Sequence, residues 1–309
     1  MSLGLERIRI GTRGSHLARW QSGWVGDRLR EIHAGLVVEL VEIKTHGDRD
    51  RNSPLATIGG VGLFTKEIQR AVLDGLVDLA VHSLKDLPTQ GLAGLALGAV
   101  PVREEVADAL IAPVHRELRS LPSGARVGTG SPRRRAQLLY LRPDLEVVPV
   151  RGNVETRMNQ ALDGKLDAVV LAWAGLKRLG LDTHVTERLG PPEFLPAVGQ
   201  GALGIECRSG DETVLGLLAG IDDGTTRRAV LAERAALAEL EGGCVIPMAA
   251  WGRDVEGVLT LDASVFDPDG REVVTVSLAG ADGEQPEGLG RRVAAELLRL
   301  GAERILRRG

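Results

Sequence analysis

Much of this chain is one motif written twice, and that duplication limits the folds open to it. Ile10-Gly11-Thr12, followed by Ser15 and Gln21, is echoed by Val127-Gly128-Thr129, followed by Ser131 and Gln137. Each copy sets a short apolar strand before a helix begun by serine, so Ser15 and Ser131 read as N-caps. Each helix leads to another apolar strand, residues 36–43 or 145–150, and then to a glycine flanked by His46 or Arg151. Further on, Leu73-Asp74-Gly75-Leu76-Val77-Asp78 runs into Leu79-Ala80-Val81, as Leu162-Asp163-Gly164-Lys165-Leu166-Asp167 runs into the apolar stretch 168–171.

Strands and helices alternating at these lengths imply parallel-rich sheets with right-handed crossovers, which bring strand C-termini and helix N-termini to one edge of each domain. Ligands bind at that edge in such folds. Two such units facing each other make a cleft, and helix N-termini pointing into it favour an anion. The first copy is longer by residues 48–63, which carry Gly59-Gly60-Val61-Gly62 and few apolar anchors; they read as a mobile loop over the cleft. From about Ile221 the pattern changes. A helix over 225–240 leads into Glu241-Gly242-Gly243-Cys244-Val245-Ile246-Pro247, then strands near 258–266 and 272–278 and a last helix over 289–300. Asp267-Pro268-Asp269-Gly270 reads as a hairpin turn between those strands.

With 309 residues and 43% hydrophobic content, the chain can support two or three domains and bury roughly three quarters of its unfolded surface. Residues 1–9 lack the apolar stretch of a signal peptide, and no run approaches the roughly 18 apolar residues of a membrane span. A cytoplasmic protein with no membrane partner is expected. Cys207 and Cys244 are too few for a disulfide framework, and the six histidines show no metal-ligand spacing. Cys244 stands on a Gly-Gly turn, an odd place for a residue that usually behaves as a small buried hydrophobe. It suggests chemistry on sulfur, with the start of a buried strand as the plainer alternative.

A formal net charge of −4 and a total of eight Trp, Tyr and Phe argue against nucleic acid as a partner. Arginine nevertheless outnumbers lysine 33 to 5, and its planar fork suits carboxylates and phosphates. Ser131-Pro132-Arg133-Arg134-Arg135 opens a helix with cations where the dipole disfavours them, an arrangement that needs a compensating anion. Arg151 and Arg157 add cations at the next strand end and helix start, and Arg13 mirrors them in the first copy. Val81-His82-Ser83-Leu84-Lys85-Asp86 puts Ser83, Lys85 and a lone acid, Asp86, at the end of a buried strand. That is a site for several carboxylates, with one carboxylate of its own.

At this point the residues resemble one family, the porphobilinogen deaminases or hydroxymethylbilane synthases of tetrapyrrole and heme biosynthesis. The likeness runs along the whole chain and is most specific at 81–86, 131–134, 151–157, Ala197-Val198-Gly199-Gln200-Gly201 and 241–247. It implies a cytoplasmic, monomeric transferase whose Cys244 carries a covalent dipyrromethane cofactor in thioether linkage. Four porphobilinogen units are condensed head to tail onto this primer, each losing ammonia to give an azafulvene, and water then releases hydroxymethylbilane. By the same resemblance Asp86 is the catalytic carboxylate. Ser83, Lys85, Asp86, Thr129, Ser131, Arg133 and Arg134 hold the cofactor, while Arg13, Ser15, Arg151, Arg157, Arg178 and Gln200 serve the substrate. No metal is implied.

Two positions depart from the family pattern: Val61 replaces a loop lysine, and Gly130 stands where serine is common. The expected fold class is α/β: two similar periplasmic-binding-protein-like α/β domains around a cleft plus a smaller α+β C-terminal domain. The expected boundaries are 1–101, completed by about 202–220, then 102–201 and 221–309. A cytoplasmic clamshell-type binding or sensing module for a polycarboxylate is the rival from another class, and such a module has no need of Cys244.

Overall fold

The computed structural model describes residues 6–45, 65–240 and 246–307. The expected loop over 48–63 and Cys244 lie outside the described residues. The chain divides into two compact units, residues 1–103 with 202–227 and residues 104–201 with 228–309.

In the first unit, β1 (Arg7–Thr12), α1 (His16–Ile32), β2 (Val37–Glu42), α2 (Lys66–Leu73), β3 (Leu79–Ser83) and β4 (Leu95–Ala99) are joined by a strand from much later in the chain, Leu203–Arg208, which is β10 in chain order. The sheet order is β2-β1-β3-β10-β4. β1 runs parallel to β2 and β3, whereas β10 is antiparallel to β3 and β4. Ile8, Ile10, Leu79, Val81, Leu203 and Ile205 pack with Val25 and Leu29 of α1. Those two helix residues are four apart and so share the helix face that covers the sheet.

The second unit repeats the plan with β5 (Asp108–Ile111), β6 (Arg126–Gly128), α3 (Pro132–Leu141), β7 (Glu146–Val148), α4 (Val154–Leu162), β8 (Ala168–Ala172), α5 (Trp173–Arg178) and β9 (Glu187–Leu189). Its order, β7-β6-β8-β5-β9, matches the first sheet strand for strand, with β5 in the antiparallel place of β10. The duplication persists to single atoms. Asp78 accepts the Arg9 N–H at 2.8 Å while its own N–H reaches the Arg9 carbonyl at 2.9 Å. Asp167 makes the same pair with Arg126, at 2.7 and 3.0 Å. Gly75 and Gly164, which turn the chain toward these aspartates, both have φ +71°, a region that glycine enters without steric cost.

Residues 228–309 complete the second unit. There β11 (Met248–Val255), β12 (Val258–Phe266) and β13 (Val273–Ala279) form an antiparallel meander. α6 (Pro286–Arg299) covers it through Leu289, Val293, Ala294 and Leu297, set against Leu259, Leu261, Ala263 and Val265 at alternate positions of β12. The expected hairpin turn is present, with the Gly270 N–H donating to the Asp267 carbonyl at 2.8 Å. This turn is pressed onto α3: a Cβ on Gly270 would lie 2.4 Å from the Tyr140 nitrogen. Ala136 of α3 shares a core with Leu195, Ala249 and Phe266. The fold class is thus α/β with two like sheets and a smaller α+β part at the C-terminal end.

Two elements go beyond the sequence reading. β11 was not expected, because Met248, Ala249 and Ala250 are buried on both faces and show no alternation. The last helix also starts earlier, at Pro286, and is followed by a short helix, Ala302–Leu306.

Candidate functional site

The parallel strands of each sheet end at one edge, and most of the chemically distinctive residues collect there. In the first unit Ser15 caps α1, accepting the Ala18 N–H at 3.3 Å, with Arg13 half-buried just after β1. β3 ends at Ser83 and passes into a single 3₁₀ turn, Leu84–Asp86. Leu84 and Leu87 are buried, and the Leu84 N–H is fixed to the Ala202 carbonyl at 3.0 Å, so Lys85 and Asp86 between them are held at the surface. Among the described residues Asp86 forms no ion pair.

Beneath that turn lie groups to which the sequence analysis gives no role in the site. Gln21, buried in α1, donates to the Ser83 hydroxyl at 2.8 Å. His82 Nε2 lies 3.2 Å from a carboxylate oxygen of buried Glu206, and Gln69 of α2 donates to both Glu206 oxygens at 3.1 and 3.0 Å. Gln21 has a counterpart in the second unit, where Gln137 is hydrogen-bonded to both backbone groups of Leu195 at 3.0 and 2.8 Å. The repeated glutamine is therefore a buried support in both units.

At the matching edge of the second sheet, Ser131 caps α3 by accepting the Arg134 N–H at 3.4 Å, and Thr129 accepts the Ser131 N–H at 3.3 Å. Arg133 and Arg134 are buried, at 4% and 6% exposure. The anion that this helix start requires is supplied from within the chain. Asp108, 1% exposed at the start of β5, accepts Arg133 Nη2 at 2.7 Å on Oδ2, and Arg134 Nε and Nη2 at 2.9 and 2.7 Å on Oδ1. Burial pushes the Asp108 carboxyl up, but the two guanidinium charges and their hydrogen bonds more than reverse this and hold it below the usual carboxylate range. Burial also pulls Arg133 down; Asp108 opposes that shift and the neighbouring Arg134 charge adds to it.

Two cations against one carboxylate leave a surplus positive charge in this cluster, and Arg133 Nε is buried without a hydrogen-bond partner among the described residues. Gln200, fully buried, donates to Asp108 Oδ1 and to the Val106 carbonyl, each at 2.8 Å. Its neighbour Gly199 gives its N–H to buried Glu233 at 2.6 Å, and Glu233 takes the Gly252 N–H of β11 at 2.8 Å with its other oxygen. Asp108 and Glu233 were both missed by the sequence reading. The available signal was an acid inside an apolar segment, which rarely stays buried without partners.

Arg151 is half-buried beyond β7, and Arg157, in the first turn of α4, donates to the Gly152 carbonyl at 2.7 Å. Asn153 caps that helix through the Thr156 N–H at 2.8 Å. Arg178 ends α5 and donates to the Gly201 carbonyl at 2.6 Å; burial pulls its guanidinium down to about 10, with Glu104 opposing. Cys207, on β10, is fully buried, and burial pushes its thiol up to about 11. It is a poor source of thiolate. Among the described residues, no helix is long and apolar enough to cross a membrane.

Comparison with known proteins bears on the family of the chain. Residues 8–216 match the family described as porphobilinogen deaminase, dipyromethane cofactor binding domain, and residues 227–299 match porphobilinogen deaminase, C-terminal domain. The porphobilinogen deaminase of Syntrophotalea carbinolica is 50% identical over 299 residues, which cover 97% of this chain and 95% of the relative. That of Desulforudis audaxviator is 51% identical over 303 residues, 98% of each. Among solved structures, the methionine binding protein MetQ aligns with 76% of this chain and 94% of its own at 13% identity and a TM-score of 0.46. The near-complete matches do not favour the clamshell binding module. By both its domains and its relatives, this chain belongs to the porphobilinogen deaminase family.

Proposed function

We propose that this chain is a hydroxymethylbilane synthase: it condenses four porphobilinogen units onto a dipyrromethane primer attached to Cys244, with loss of ammonia, and water then releases the linear product. The observation that carries this reading is the match to both family domains, with the cofactor-binding one spanning residues 8–216. We read the protein as cytoplasmic and monomeric, with 102–201 and 221–309 as separate domains and 202–220 completing 1–101.

The residues present fit a polycarboxylate cofactor. Ser83, Thr129 and Ser131 each accept a hydrogen bond from a protein N–H, which leaves each O–H to donate outward. The surplus charge of the Arg133–Arg134–Asp108 cluster and the buried Arg133 Nε, without a hydrogen-bond partner among the described residues, call for one further anion. Lys85, exposed beside Asp86, adds a point charge. When bound, the dipyrromethane supplies the nucleophilic pyrrole carbon to which new units are joined.

We assign Asp86 as the acid that acts on nitrogen. In this reading a carboxylate oxygen of Asp86 accepts pyrrole N–H groups, stabilises positive charge developing on the ring and takes up or returns the proton in transit. Arg13, Ser15, Arg151 and Arg157 bind the acetate and propionate of the incoming unit. Arg178 and Gln200, which spend polar atoms on backbone carbonyls, serve the substrate by shaping the surrounding wall.

A growing chain adds two carboxylates with each ring, so different arginines are needed at different stages. Incubation with porphobilinogen followed by intact-mass measurement tests this. Arg133→Gln is expected to leave most protein at its bare sequence mass, because each charge-assisted contact contributes roughly 1.5–3 kcal/mol. Arg151→Gln is expected to take up cofactor yet accumulate species carrying one or more extra pyrrole units. A wild-type mass ladder in both variants, with a raised KM alone, would point instead to uniform substrate binding.

A further inference from the structure

Asp108 has no place in the sequence-level site, yet it is the point on which the arginine pair converges. Its Oδ1 receives Arg134 Nε, Arg134 Nη2 and Gln200 Nε2, and its Oδ2 receives Arg133 Nη2. The Gln200 oxygen accepts Arg134 Nη2 in turn, at 3.4 Å. Both guanidiniums are also tied to backbone, Arg133 to the Leu195 carbonyl at 2.6 Å and Arg134 to that of Val170 at 3.2 Å. The topology accounts for the meeting. β5 runs antiparallel to β8, with Asp108 opposite Ala172, so the first residue of β5 sits at the edge where the parallel strands end and α3 begins.

Two adjacent guanidiniums out of water repel each other, and without an internal carboxylate one of them would have to swing away. Asp108 removes that repulsion without neutralising the pair. Arg134 is the more committed member, with its Nε and Nη2 both on the carboxylate, whereas Arg133 keeps a buried Nε without a partner among the described residues. We propose that Asp108, braced by Gln200, is a positioning residue of the cofactor cradle: it fixes Arg134 and holds Arg133 beside it, so that the surplus charge serves one carboxylate of the dipyrromethane. This rests on the reading of Arg133 and Arg134 as cofactor ligands. Asp108 acts through them and touches neither cofactor nor substrate.

The test compares Asp108→Asn, Asp108→Glu and Arg133→Gln with the parent, reading the fraction of folded monomer that carries the cofactor by intact mass, together with the melting temperature. Asp108→Asn preserves size but turns an amide donor toward cations, and its cofactor-loaded fraction is expected to fall by at least about threefold. Asp108→Glu, which keeps the charge, is expected to load better than Asp108→Asn even where both melt lower than the parent. If Asp108→Asn loads like the parent while Arg133→Gln does not, the cradle stands and the role given to Asp108 falls. If Arg133→Gln loads like the parent, the assignment of the arginines itself is wrong and this inference goes with it. Should Asp108→Asn fail to fold, Gln200→Leu takes its place, and parental loading in that variant would overturn the bracing role in the same way.

Discussion

Asp86→Asn is expected to lower turnover of porphobilinogen by at least about a hundredfold while leaving the fold intact, the scale of removing one preorganised electrostatic stabiliser. The side chain lies exposed on a turn pinned by Leu84 and Leu87, and its carboxylate holds no ion pair among the described residues, so the amide costs the protein little stability. On the proposed role, what is lost is the negative charge set against a ring that becomes electron-poor. Asp86→Glu keeps that charge and shifts its position, and a smaller loss is expected. Single-turnover rates on protein already carrying its cofactor check this without interference from cofactor assembly. Turnover of Asp86→Asn close to the parent would move the catalytic role to another group.

Cys244→Ser is expected to give a folded protein with activity at or below about a thousandth of the parent, because a hydroxyl is a far weaker nucleophile than a partly ionised thiol. Cys207→Ser is expected to retain both activity and cofactor. Cys207 is fully buried on β10 with its thiol pushed up to about 11, which leaves almost no thiolate near neutrality. Loss of the covalent group in Cys207→Ser would contradict this assignment.

The duplication was legible because its signals are local. Serine N-caps, the Leu-Asp-Gly turns and short apolar strands recur in order, and the structure uses Ser15 and Ser131, Asp78 and Asp167, and Gly75 and Gly164 in the same way in each copy. The basic start of α3 was legible as an unmet need for an anion. Which anion answered that need was not, because Asp108 lies 25 residues before Arg133 in sequence and meets it through sheet pairing. Glu233 escaped notice for a similar reason, since an acid in an alanine-rich helix reads as a solvated charge until Gly199 and Gly252 are seen to converge on it. β11 was lost because burial on both faces erases the alternation by which a strand is recognised. What the local pattern leaves out, in each case, is a partner brought in by topology.

The central claim is that the chain carries a primer made from its own substrate, and the mass of the purified protein tests it most directly. Intact-mass measurement followed by peptide mapping is expected to find the chain heavier than its sequence by one dipyrromethane unit, located on the peptide that contains Cys244. A catalytically active preparation in which Cys244 is unmodified and the chain weighs what its sequence dictates would contradict the account.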